Sequence, residues 1–176
     1  NCGAHLWDTA RADAPPLWLG GHNALVGCVA FQPGEAMMAT AGKDGAALLW
    51  TLPGGESAGR LAGHAGDIHD IAFSPDGSRV ATAGRDGFFK LWDTAEGREV
   101  LTLQAGGTEA GGQANYPYQV GFSGDGKLLF TLTEPLGTPP ALLRAAPPDA
   151  EALAKGRNLG LWGWLAEWGR GETAGG

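Results

Sequence analysis

Apolar residues in this chain fall in short runs, each closed by glycine, proline or aspartate. One pair of runs is Val26–Phe31 and Ala36–Ala41, separated by Gln-Pro-Gly-Glu, and the next is Ile68–Phe73 and Arg79–Ala83, separated by Ser-Pro-Asp-Gly. Runs this short, rich in Val, Ile and Phe and bounded by turn formers, predict strands rather than helices. After each pair comes an Asp-Gly step, Asp44-Gly45 or Asp86-Gly87, and then a third run ending in Trp50 or Trp92. Asp-Gly between apolar runs is a strong hairpin signal, and the type I′ turn it predicts needs positive φ. Weaker fourth strands are expected near Ala58–Leu61 and Glu99–Leu103. The pattern is an antiparallel meander of short strands with no helix between them.

The two windows align without a gap, GHNALVGCVAFQPGEAMMATAGKDGAALLW over GHAGDIHDIAFSPDGSRVATAGRDGFFKLW. His22, Thr40, Asp44 and Trp50 match His64, Thr82, Asp86 and Trp92, with His, Thr and Trp at −22, −4 and +6 from the Asp. The two Asp lie 42 residues apart, inside the roughly 40–45-residue period of a four-stranded propeller blade. This resembles the WD40-repeat family, in a bacterial-type array. The resemblance implies an all-β fold, a WD40-type β-propeller segment of about three and a half four-stranded blades. It also implies that each tetrad is structural: the Trp indole bonds the Thr hydroxyl, the hydroxyl bonds the His, and the His bonds the Asp, inside one blade. His, Thr and Asp together imitate a nucleophilic triad. A catalytic role would need two identical active sites side by side, each with its hydroxyl inside a sheet instead of facing a cleft.

Repeat boundaries divide the chain into a propeller segment, residues 1–144, and a non-repeat tail, residues 145–176. Within the segment, 1–19 is half a blade, with AHLW ending at Trp7 and Leu17-Trp18-Leu19 supplying the next strand. Residues 20–61 and 62–103 are full blades, and 104–144 is a degenerate one. In the last, Phe122 falls on Phe73 and Thr131 on Thr82, but Pro135 and Ala141 stand where Asp and Trp are expected. An enlarged loop, Ala105 to Tyr118, replaces its Gly-His. In the tail, Asp149 to Lys155 could form one helical turn, and Trp162, Trp164 and Trp168 cluster before a glycine-rich end.

Charge and cysteine usage narrow the function classes. Twelve Lys and Arg stand against 19 Asp and Glu, a net charge of −7, without the basic stripe that nucleic acid or an anionic membrane would need. Glycine is abundant at 31 residues with 11 prolines, as tight turns between short strands require. Cys2 and Cys28 fit neither a disulfide framework nor a zinc pattern and read as two small buried thiols. The segment GHAGDIHD brings His64, Asp67, His69 and Asp70 close in sequence, but strand alternation sends Asp70 to the face opposite Asp67 and His69. No metal or other cofactor is expected. No signal peptide or apolar run long enough to span a bilayer is visible, so the expected location is cytoplasmic.

The resemblance implies a non-catalytic scaffold that binds a protein or peptide through the face built by inner-strand starts and the residues before each turn Asp. Here these are Lys43 and Arg85, with Leu25, Gly27, Asp67 and His69. Two equivalent cations on adjacent blades suit a carboxylate or phosphopeptide. The alternatives are a regulatory or structural propeller segment of a larger protein, for example one fused to a kinase, and a propeller enzyme with a channel metal. A propeller closes with at least four blades, so the chain reads as a fragment beginning inside a repeat at Asn1, or as one that self-associates or adds blades to close a ring. An open blade face of ~500 Å² costs ~12 kcal/mol at ~25 cal/mol per Å².

Overall fold

The computed structural model describes residues 2–11, 13–34, 36–105, 116–134 and 141–144. These form thirteen strands in four antiparallel sheets, with no helix among them. The first sheet pairs β1 (Cys2–Leu6) with β2 (Leu17–His22). The second is the meander β3 (Val26–Phe31), β4 (Met37–Gly42), β5 (Ala46–Thr51) and β6 (Ser57–Ala62). The third repeats it as β7 (Ile68–Phe73), β8 (Arg79–Gly84), β9 (Phe88–Asp93) and β10 (Glu99–Gln104). The fourth joins β11 (Tyr116–Phe122), β12 (Leu128–Glu134) and β13 (Ala141–Arg144). The described residues form an all-β partial propeller.

Each sheet is held to the next by the same side-chain positions. Ala39 and Ala41 of β4, with Ala47, Leu49 and Leu61, bury Ile71, Phe73, Val80 and Trp92 of the third sheet. Ala81 and Ala83 of β8, with Phe89, do the same for Val120 and Leu129 of the fourth. Alanine recurs on β4 and β8 because stacked sheets sit only about 10 Å apart, and an Ile or Phe from one side needs a small residue opposite. The first sheet reaches the second through Leu6 and Leu19, packed on Met38, Leu48 and Trp50.

Two expectations need correction. The Asp-Gly turns are not two-residue type I′ turns, because β4 and β5 are joined by three residues, 43–45, and β8 and β9 by 85–87. Gly45 donates to the Gly42 carbonyl at 3.3 Å and takes φ +71°, the three-residue hairpin with a left-handed glycine last. In the degenerate repeat, Tyr116–Tyr118 belong to β11 and not to the loop, because Tyr116 and Pro117 pair with Glu134 and Thr133. The rest of that loop, residues 106–115, lies outside the described residues, as do Pro135, the 149–155 turn and the tail tryptophans.

Candidate functional site

His22 is the last residue of β2, which pairs with β1 and not with the sheet holding Thr40, Asp44 and Trp50. From there its Nε2 lies 2.9 Å from the Thr40 hydroxyl, and its Nδ1 3.0 and 3.1 Å from the Asp44 carboxylate. Trp50 Nε1–H donates to the same hydroxyl at 3.0 Å. One repeat later the geometry recurs. His64, just past β6, sits 2.8 Å from Thr82 and 3.0 Å from both oxygens of Asp86, and Trp92 donates to Thr82 at 2.9 Å. His22 thus ends the outer strand of the sheet before, while His64 lies in the loop between β6 and β7, so each network joins its sheet to the segment that enters it.

The proton inventory of each network closes. A carboxylate only accepts, so His Nδ1–H donates to Asp, and the Nε2 lone pair accepts from the Thr hydroxyl, which accepts in turn from the indole. Both Thr side chains are fully buried. Backbone groups complete the carboxylates: Asn23 N–H donates to Asp44 at 2.9 Å and Ala65 N–H to Asp86 at 2.9 Å. Burial pushes both carboxyls up. The hydrogen bonds from Asn23, His22 and Ala46, or from Ala65, His64 and Phe88, outweigh it, and both stay below the ordinary carboxylate value. Burial pushes His64 below the ordinary imidazole value against the opposing pull of Asp86. His64 is thus a neutral hydrogen-bonding relay at neutral pH.

The candidate partner residues stand above these networks. Lys43 N–H donates to the Leu25 carbonyl at 2.9 Å, and Arg85 N–H to that of Asp67 at 2.8 Å, so each cation is fastened to an inner-strand start of its own sheet. The side chains of Leu25, Lys43, Arg85 and His69 are exposed, and Asp67 is half-buried. The turn at Gly45 rests on the loop entering the next sheet, so closely that a Cβ there would lie 2.7 Å from the His64 carbonyl oxygen. That contact ties the two cation positions into one surface across adjacent sheets. Gly27 and His69 are residues skipped by the β3–β4 and β7–β8 registers, bulges that turn them out of the ladder.

The structure divides the GHAGDIHD cluster. His64 is held by Asp86 and Thr82, His69 is exposed, and Asp70 accepts the Val120 N–H of β11 at 2.9 Å. Among the described residues, no group of three or more His, Cys, Asp or Glu is placed to hold a metal ion. Cys2 and Cys28 are half-buried, not fully buried. Burial and the charge of Asp70 push the Cys28 thiol up to about 12, so it stays protonated and unreactive.

Sequence reasoning missed two polar contacts. One is the Asp70–Val120 link between inner strands. The other is nearly buried Lys90, which donates to Glu99 at 2.7 Å and Thr102 at 2.9 Å beside Trp92. A signal for the second was present. Lys90 interrupts the run FFKLW where the preceding repeat has Leu48, and a charge in a buried strand needs a partner.

The family described as WD domain, G-beta repeat matches residues 16–51 and 55–93. Each match starts just before the outer strand of one sheet and ends with the third strand of the next. These residues are WD40 repeats, and the described residues have an all-β, partial propeller fold. No curated protein matches the chain. Among the described residues, no helix is long and apolar enough to cross a membrane.

Proposed function

We propose that this chain is a non-catalytic scaffold that binds a protein or peptide through the loop face carrying Leu25, Lys43, Asp67, His69 and Arg85. The observation that carries the reading is the anchoring of Lys43 and Arg85. Each is exposed, and each is fixed by its backbone to an inner-strand start and braced from below by a closed tetrad. WD40 repeats generally serve as protein-interaction scaffolds. In a chain of net charge −7, two cations on one face favour an acidic or phosphorylated peptide. The non-catalytic part rests on the tetrads, whose Thr hydroxyls are buried and committed to His and Trp, where no substrate can meet them.

A peptide array of acidic, phosphorylated and basic sequences, probed with the chain and with its Lys43→Glu/Arg85→Glu variant, tests this. The expected result is retention on acidic or phosphorylated peptides, weakened about tenfold or more by the charge reversal, with an unchanged unfolding midpoint. Equal retention of both proteins on every peptide would overturn it.

A further inference from the structure

At the seam between the second and third sheets, Gly27 opens a notch that backbone geometry does not demand. Gly27 of β3 and His69 of β7 hold the same place, each skipped by the register of its strand with the next. The backbone at Gly27 lies outside the left-handed region, so a side chain is permitted there. A Cβ would meet, apart from its chain neighbours, one atom within 4 Å, the Ile68 carbonyl oxygen at 3.7 Å. The notch therefore opens toward the third sheet, with that carbonyl as its floor. Arg85 N–H donates to the Asp67 carbonyl at 2.8 Å. Carbonyls of successive strand residues turn to opposite edges, so Ile68 turns its own away from β8 and toward β3. Ile68 is 3% exposed, and among the described residues no turn or loop N–H reaches its carbonyl. A donor brought by a ligand would relieve the cost of that buried acceptor.

Lys43 and Arg85 stand on the two sides of the same seam, in the β4–β5 and β8–β9 turns. Among the described residues neither has an ion-pair partner. They lie one to one and a half strand spacings outward from β3 and β7, about 5–7 Å. Alternate residues of an extended peptide point the same way at intervals of about 6.6–6.8 Å. One extended peptide lying outward along the seam thus meets the notch and the cations with side chains two residues apart. Resting on the scaffold reading, we propose that the bound peptide carries an asparagine two residues from an anionic side chain, carboxylate or phosphate. The asparagine amide enters the notch over Gly27 and donates to the Ile68 carbonyl, and the anion lies between Lys43 and Arg85. Gly27 is then the specificity-determining residue of this face. At the seam between the third and fourth sheets, His69 puts an imidazole where that notch would be.

The test reads anisotropy of labelled peptides centred on Asn-Ala-Glu or Asn-Ala-phosphoserine, and on the reversed orders, with the 176-residue chain. Leu in place of Asn keeps the size and removes the donor, and three alanines in place of one break the spacing. The expected result, in one of the two orders, is binding about tenfold tighter than either control. Gly27→Val in the chain should erase the preference for Asn over Leu. The peptide comparison stands whether or not that variant folds. Equal affinity for Asn and Leu peptides, or for both spacings, would overturn the proposal. So would a preference that survives Gly27→Val in a variant with native circular dichroism. If Lys43→Glu/Arg85→Glu still weakened binding in those cases, the scaffold reading would stand without it. No binding of any anionic peptide would overturn both.

Discussion

Thr82 is the residue on which the second tetrad turns, because its one hydroxyl satisfies both the Trp92 indole and His64 Nε2. Thr82→Val keeps the shape and removes both bonds. It should destabilise the protein by about 3 kcal/mol, since each orphaned buried group costs about 1–3 kcal/mol. Thr82→Ser should cost less by retaining the hydroxyl. Urea unfolding of the two variants checks this, and equal midpoints for Val and Ser would show that the bonds contribute nothing. The pH dependence follows from the same network. His64 titrates below its ordinary 6.5 in the fold, chiefly through burial, so the unfolded chain binds the proton more tightly. Stability contributed by neutral His64 is present above 6.5 and is lost as pH falls through the folded value. Asp44 and Asp86 add a second loss below their ordinary 3.8, as carboxylates that accept hydrogen bonds become protonated. Urea midpoints measured across this range should fall in two stages on acidification, and a midpoint that rose on acidification from neutrality would contradict the assignment.

At the scale of elements, the turns decide how one sheet seats on another. Gly45 and Gly34 both take positive φ, +71° and +89°, but only Gly45 faces backbone, with the His64 carbonyl 2.7 Å from where a Cβ would stand. Gly34 has nothing within 4 Å of that point. Gly34→Ala should therefore cost about 1 kcal/mol for the left-handed backbone alone. Gly45→Ala should cost clearly more and displace the loop at residues 64–66, visible as changed amide shifts around Ala65. Similar midpoints for the two variants would refute the close approach. Much of this level could be read from the chain. Val26–Phe31 and Ile68–Phe73 are observed with the bounds that their apolar runs and Pro-Gly-containing turns predicted. The fourth strands expected near Ala58–Leu61 and Glu99–Leu103 are the observed outer strands β6 and β10, but that His22 ends a strand of the preceding sheet could not be read, because a period of 42 residues fixes spacing and not strand ends. Tyr116–Tyr118 were hidden for a related reason: Pro117 is a turn signal in sequence, yet it sits beside a bulge where strands tolerate proline. Lys43 and Arg85 were legible as exposed turn residues on equivalent positions. Asp70 was not, since its partner is a backbone N–H fifty positions away.

At the scale of the whole molecule, stability comes from stacking sheets that are individually too thin to hold a core. The second and third sheets have a complete interface, and the first has half of one. Phe73→Ala, in the complete interface, should cost about 3–5 kcal/mol. Phe31→Ala, at the matching but open position, should cost less than about 1 kcal/mol by denaturant unfolding. Comparable losses at the two sites would mean that β3 is covered after all. The proposed recognition face sits where the tetrads brace the turns that carry Lys43 and Arg85 on adjacent sheets. The most direct measurement is a map of amide chemical-shift changes in the labelled chain on titration with the strongest acidic or phosphorylated peptide from the array. The account predicts changes concentrated at Leu25, Lys43, Asp67, His69 and Arg85. A footprint elsewhere, with these five unmoved at saturation, would contradict it.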